Sequence, residues 1–339
     1  MDERKKKILR AIVDEYIETA QPVSSNTIVQ KYEPNISSAT VRNDMAELEK
    51  IGFLEKTHTS SGRVPSAKGY RVYVDELLKY DDLSKEEIKY IGKQLETRVN
   101  QLEDLTKITM NTISEITHYT TVSVGPQSSK QKIEEIKFVM LGERMLMAII
   151  MTDIGMIKET IIKFDEDVSQ EQIDTLGKIF NKKLKGEPLE KIDKPLEEYI
   201  VNELHYNINI IKTIIEEIQK MIEKDDNLFT EGRNKNYDLP EFKSLETARN
   251  FANVLDEKDV MLDVLNSEDE KDIQVYIGDE NENEELKDFS IVTFKHSVGN
   301  KDLGTIGIIG PKRMNYSKVI SVMKYISKML NDEDNNKTN

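Results

Sequence analysis

The sequence predicts an α+β fold: a small helical head at the N-terminus and a larger body in which strands alternate with helices. Three observations point there. Three short helical patterns, each bounded by proline or glycine, fill about the first 50 residues and run into a hairpin-like segment. Beyond them, apolar runs of period two alternate with runs spaced by three and four almost to the end of the chain. Charge divides the chain in the same way. Residues 1–72 hold 12 Lys and Arg against 10 Asp and Glu, whereas all 339 residues hold 48 against 63. A slightly basic head on an acidic body confines any contact with a polyanion to the head.

In order, Ile8, Leu9, Ile12, Val13, Tyr16 and Ile17 share one face of a first helix, Glu3–Thr19, which Pro22 stops. A short second helix is capped by Ser24 or Ser25, buries Ile28, Val29 and Tyr32, and ends at Pro34. In the third, Ser37 is the N-cap, Ile36 and Val41 form a hydrophobic staple, and Gly52 supplies the left-handed residue after the end. Val41, Met45 and Leu48 make its buried stripe. Ala39, Asn43, Ala46 and Lys50 point the opposite way, with Arg42 on the flank. Small residues and an amide suit close approach to base edges, and a guanidinium suits guanine or phosphate.

A wing follows. Phe53–Thr57 alternates like a strand, His58–Arg63 is a hydroxyl-rich turn, and Val64-Pro65-Ser66 returns as an edge strand. Lys68, Tyr70 and Arg71 then open a helix running to about Lys79. Three helices plus a hairpin make a winged helix-turn-helix, spanning 1–80. The pattern alone also fits a protein-interaction or RNA-binding module. Arg42 also reads as a solvated helix position and His58 as a plain turn residue.

In the body, Ser84 with Glu87 is a capping box opening one long helix, or two, through Ile108. It reads as packed on its own domain, with a coiled-coil dimer seam as the competing reading. Thr120–Gly125 is a strand. Ile136–Leu141, Met145–Thr152 and Met156–Phe164 form a three-strand meander. Helices follow near Gln170–Leu184 and Leu196–Lys224, the latter apolar on several sides, as suits a buried helix or a subunit interface. Phe242–Val254 and Asp259–Asn266 read as helices, Ile273–Ile277, Ser290–His296 and Gly304–Ile309 as strands, and Met314–Leu330 as the last helix. Asp279–Glu285 reads as an exposed acidic loop. The tail, 331–339, has nothing apolar to bury and is expected to be disordered.

Several chemistries find no support. There is no cysteine, and His58, His118, His205 and His296 show no metal-ligand spacing. Gly304, Gly307 and Gly310 lack the Gly-Lys-Ser/Thr of a phosphate loop and read as close strand packing. No nucleophile elbow or acid–base pair stands out. The expectation is a non-enzymatic protein without metal or cofactor. No apolar run reaches the ~20 residues of a membrane span and no signal peptide is evident, so a cytoplasmic location is expected.

Ser37–Asp44 (SSATVRND), Met45–Phe53 (MAELEKIGF), His58–Ser66 (HTSSGRVPS) and Lys68–Asp75 (KGYRVYVD) resemble the heat-inducible transcription repressor family, HrcA. So do Gly304–Tyr316 (GTIGIIGPKRMNY) and Ile277-Gly278 followed by Asn281. The resemblance implies a homodimer that represses chaperonin and DnaK operons from an inverted-repeat operator (CIRCE), with the chaperonin GroEL modulating its activity. It also implies a GAF-like domain after the winged helix, carrying an inserted dimerising domain. The expected division is 81–168 and 227–330 for the GAF-like part and 169–226 for the insert. Thr57 stands where proline is expected, and Lys312 and Asn315 where Thr and Asp are expected.

The expected DNA contacts are therefore Arg42 and Asn43 for bases and Ser38 and Thr40 for phosphate at the helix start. The wing, through His58, Thr59, Ser60, Ser61 and Arg63, and then Lys68, Tyr70 and Arg71 would hold flanking backbone. The alternative is a winged-helix regulator gated by a small molecule in the GAF-like domain.

Overall fold

In the computed structural model, residues 1–57, 62–95, 102–126, 130–204, 208–224, 228–265, 272–298 and 301–337 are described. Side-chain caps set the first three helices. Helix α1 (Glu3–Thr19) starts at Asp2, whose carboxylate accepts from the Lys5 amide at 2.9 Å, and ends at Ala20 in the left-handed region. Ser24, rather than Ser25, caps α2 (Ser25–Lys31). Ser37 caps α3 (Ser38–Lys50) through the Thr40 amide at 3.1 Å, and Gly52, at φ +84°, lets the chain turn out of it. Ile8, Leu9 and Ile12 of α1 meet Ile28 of α2 and Val41, Met45 and Leu48 of α3 in one core. Strands β1 (Leu54–Lys56) and β2 (Arg63–Pro65) make the antiparallel wing hairpin, and Val23 pairs with Arg63 on the other side of β2. The helix expected to reach Lys79 is shorter: α4 (Ala67–Val72) runs into one π-helical turn ending at Leu77.

The body opens with α5 (Lys85–Leu95), begun by the Ser84–Glu87 capping box, and α6 (Leu102–Thr117). The two pack on each other, and Ile91, Leu95, Met110 and Ile113 enter the body's own core, as the packed-helix reading requires. Strand β3 (Thr120–Val124) follows. The meander is formed by β4 (Ile133–Gly142), β5 (Met145–Thr152) and β6 (Ile157–Lys163). Behind it come α7 (Gln170–Leu184), α8 (Lys194–Leu204) and α9 (Ile208–Lys224).

Here the expected domain boundary is corrected. The meander does not extend the main sheet; it shares a separate core with the helices after it. Ile136, Leu146, Ile150 and Ile162 pack with Phe180, Ile211, Ile214 and Ile218. The insert thus begins near residue 130 rather than 169. The helix expected over Leu196–Lys224 is also two, α8 and α9, packed on each other. Folding back lets an apolar face too broad for one helix side be covered by a neighbour.

The chain re-enters as β7 (Leu228–Glu231), pairing antiparallel with β3 so that Leu228 lies opposite Val124. The exit and return of the insert are therefore adjacent, and the main sheet closes without it. Then come α10 (Leu245–Asp256), α11 (Lys258–Leu265), β8 (Ile273–Ile277), β9 (Phe289–Val298), β10 (Lys301–Pro311) and α12 (Tyr316–Lys337). The main sheet is antiparallel throughout, ordered β7-β3-β10-β9-β8. One face packs on α6 and α12, in a core continuous with that of the head. The other face packs on α10 and α11 through Phe251, Met261 and Phe289. The Gly304, Gly307 and Gly310 row lies in β10. A Cβ on Gly307 would come within 2.7 Å of Leu265, and one on Gly304 within 2.0 Å of the Val124 carbonyl oxygen, so these glycines serve packing. Helix α12 runs on past Leu330 to Lys337, so the expected tail, 331–339, starts within it. Among the described residues its last buried anchors are Ile326 and Leu330. The Asp279–Glu285 loop is tighter than expected, with Asn281 buried and its amide donating to the Gly278 carbonyl at 2.8 Å.

Candidate DNA-binding surface

Helix α3 is held against α1 by charge as well as by packing. Asp44 interrupts its buried stripe and is itself buried, and Arg4 meets it with two hydrogen bonds of 2.7 and 2.9 Å. A buried carboxylate needs such a partner. Lys5 also reaches Glu47 at 2.6 Å. Sequence reading missed this pair. The signal was a carboxylate at the stripe position three residues after Val41. With that side fixed, Ala39, Arg42, Asn43, Ala46 and Lys50 are all exposed. The side chains of Arg42 and Asn43 make no hydrogen bond or ion pair with any described residue, so both remain available to a ligand.

The turn between α2 and α3 is cross-tied. Ser38 donates to Asn26 Oδ1 at 2.7 Å and lies 3.0 Å from the Ser25 hydroxyl, while the Thr40 hydroxyl lies 2.8 Å from that of Ser37. The Ser38 bonds tie α3 to α2, and Ser38 and Thr40 remain partly exposed beside the α3 N-terminus.

The wing differs from expectation. Arg63 is only 17% exposed and its Nε donates to Glu49 Oε2 of α3 at 2.7 Å, so its charge clamps the hairpin to the helix. Gly62 is buried on Pro22, where a Cβ would come within 2.8 Å of backbone. His58, Thr59, Ser60 and Ser61 lie outside the described residues.

Of the three residues expected on α4, Lys68 alone is exposed. Gly69 packs so closely on β1's lead-in that a Cβ would come within 2.2 Å of the Phe53 carbonyl oxygen. Tyr70 is 2% exposed and its ring lies 5.9 Å from that of Tyr316 in α12. Burial pushes its phenol well above the usual range, so it is neutral and out of reach of any phosphate. Arg71 points at the body: it is ion-paired with Glu280, donates to the Val275 carbonyl and reaches Asp75 at 3.1 Å. Its hydrogen bonds to Glu280 raise its pKa further above the usual value. The expected phosphate roles of Tyr70, Arg71 and Arg63 are thus corrected. Their polar groups were read from residue type, and the fold assigns them to packing and ion pairs.

Among the described residues, no group of three or more His, Asp and Glu is placed to hold a metal ion, and no helix is long and apolar enough to cross a membrane.

Residues 4–65 match the DeoR-like helix-turn-helix domain, and residues 103–320 match the HrcA protein C-terminal domain. The chain is 40% identical to the heat-inducible transcription repressor HrcA of Ruminiclostridium cellulolyticum, over 98% of this chain and 97% of that one. The chain belongs to the HrcA family. The HrcA of Acetivibrio thermocellus is 39% identical, over 97% of this chain and 95% of that one. That of Clostridium acetobutylicum is 37% identical, over 98% and 97%. The fold is also similar to the crystal structure of a hypothetical protein, with 24% identity, 98% of each chain covered and a TM-score of 0.63. An HrcA-type helix-turn-helix therefore carries the exposed Arg42–Asn43 face.

Proposed function

We propose that the chain is a non-enzymatic heat-shock transcription repressor that binds an inverted-repeat operator as a homodimer. The observation that carries this is the free polar face of α3 on a helix-turn-helix of the HrcA family. Arg42 and Asn43 read bases in the major groove, and Ser38, Thr40 and Lys68 lie on the phosphates around it. Family membership supports the repressor role, control of chaperonin and DnaK operons, and action in the cytoplasm. It also supports a GAF-like assignment for the main sheet and its helices.

A second copy is placed on the insert. The outer face of the meander aligns Val139, Met147 and Ile161 across three strands, beside Met151 and Ile157. Val139, Leu141, Ile157 and Ile161 are each 43–59% exposed. Such an apolar sheet face favours a two-fold contact, which a two-fold operator calls for. The same face, uncovered in a monomer, is a surface a chaperonin such as GroEL would hold.

The test is a salt series on a duplex carrying the family's inverted repeat beside a scrambled duplex, with sedimentation of the same sample. Tight, salt-sensitive binding of a dimer to the repeat alone is expected. Equal weak binding to both duplexes by a folded dimer would overturn the reading. The competing reading, a small-molecule-gated regulator, has one feature in its favour. A groove of about 1060 Å³ lies between head and body, lined by residues including Arg71, Tyr80, Val275, Lys295 and Lys328. Thermal stabilisation by a metabolite that also shifts DNA affinity would favour it.

A further inference from the structure

Strand β8 is the edge of the main sheet, so one side of its backbone has no neighbouring strand. Such an edge leaves donors and acceptors open. Here two of them are taken by one ion pair. The Val275 carbonyl accepts from Arg71 of the head, and the Ile277 amide donates to Glu280 Oε2 at 2.9 Å. Arg71 and Glu280 also bind each other through two hydrogen bonds. They are 209 positions apart in sequence, which makes this a tie between head and body.

A second arginine makes the reciprocal tie. Arg313 of the body donates to the Ile17 carbonyl at the C-terminal turn of α1 at 2.9 Å, while Glu241 holds its other nitrogens. A cation there also meets the negative end of the helix dipole. Ser317 donates to the Lys79 carbonyl at 2.6 Å. Between these ties Tyr70 packs on Tyr316 with its ring tilted at 55°, and the turn at Gly278 sits against α4, where a Cβ would come within 3.6 Å of that of Ala67. The docked head still leaves Arg42, Asn43 and Lys50 exposed.

We propose that Arg71 and Glu280 are positioning residues for DNA binding: their ion pair fixes the angle of the head on the body, and so the spacing and facing of the two recognition helices in the dimer. The proposal rests on the dimeric DNA-binding reading above. The apolar Tyr70–Tyr316 contact keeps the head attached but is non-directional. The guanidinium fork, bound to a carboxylate and to a backbone carbonyl, is directional and sets the angle. Two half-sites are engaged together only when both helices arrive at the groove spacing, and that second contact supplies the gain over one half-site.

Glu280→Gln keeps an oxygen for the Ile277 amide and removes the charge. Its affinity for the full inverted repeat is expected to fall by roughly tenfold or more, as simultaneous engagement is lost. Its affinity for a duplex with a single half-site should stay at the wild-type value. Arg71→Gln should behave alike. Because the chain has no cysteine, a spin label on Lys7→Cys in the exposed face of α1 reports the head-to-head distance in the dimer without DNA. A narrow distribution that Glu280→Gln broadens supports the proposal. Equal losses on full and half sites would show a merely structural role and overturn it. So would an unchanged distance distribution with unchanged operator affinity. No inter-head distance in the otherwise unaltered chain would overturn the dimer reading and this proposal with it.

Discussion

Helix α3 and helix α4 sit on the same small head, and in sequence both offer basic and polar groups suited to DNA. The structure treats them oppositely. On α3, Arg42 and Asn43 are left to solvent, while on α4 Tyr70 is buried and Arg71 is bound to Glu280. Each helix has a buried side, and what differs is the surface lying opposite. The outward face of α3 has no described element above it; that of α4 meets the edge of the main sheet and α12. A polar residue is thus free for a ligand only when no other part of its own chain claims it. Substitutions on the two helices should separate into losses of folding and losses of recognition.

The largest effect belongs to the docked side. Tyr70→Ala should cost roughly 3–5 kcal/mol of stability, as for other large buried aromatics, and should leave the base preference of any residual binding unchanged. Denaturant unfolding measures the first and operator variants the second. A variant of normal stability with altered base preference would return Tyr70 to the DNA surface. The body holds a comparable buried group in the main sheet. His296, on β9, is buried, and neither ring nitrogen has a partner among the described residues. Burial pushes its pKa down from 6.5 to about 4. Its folded pKa lies below its unfolded one, so its neutral form favours folding fully above pH 6.5, and this contribution is lost as pH falls towards 4. Over the whole window the loss is on the order of 3 kcal/mol, and about 2 of that should be gone by pH 5. Unfolding at pH 7.5 and pH 5 should show this loss in the natural chain beyond that in His296→Leu. Equal pH dependence in both would mean that the imidazole is solvated.

On the free side, Asn43→Ala should weaken operator binding by about 1–3 kcal/mol, flatten the preference at one or two base pairs and leave the unfolding midpoint in place. Loss of stability without loss of specificity would reverse the assignment of α3.

Local signals carried most of the head. Ser37, Gly52 and the Val41–Met45–Leu48 stripe act within a few residues, so they are legible in a single sequence and hold in the structure. The meander strands were legible by alternation for the same reason. What was not legible is pairing across distance. Glu49 and Arg63 are 14 residues apart, Arg4 and Asp44 are 40 apart, and nothing in either neighbourhood names the other. The boundary of the insert failed likewise. Alternation announces a strand but not which sheet it joins, and only the shared core of Ile136, Phe180 and Ile214 shows that the meander belongs with the helices after it. Arg71 shows the limit most plainly. Its residue type was read correctly as one that binds an anion, and the anion turned out to be a carboxylate of the same chain.

Lys68 gives the smallest effect and the finest test of the contrast. It is the one exposed residue of the three expected from α4 to touch DNA, one turn from a buried tyrosine and a bound arginine. If it holds a phosphate, Lys68→Ala should weaken binding about equally on the repeat and on scrambled duplex. It should also lower the slope of log affinity against log salt by about 1. Stability should not change. An unaltered slope would mean that α4 contributes nothing to the DNA surface, and the division of the head into a reading helix and a docking helix would then be complete.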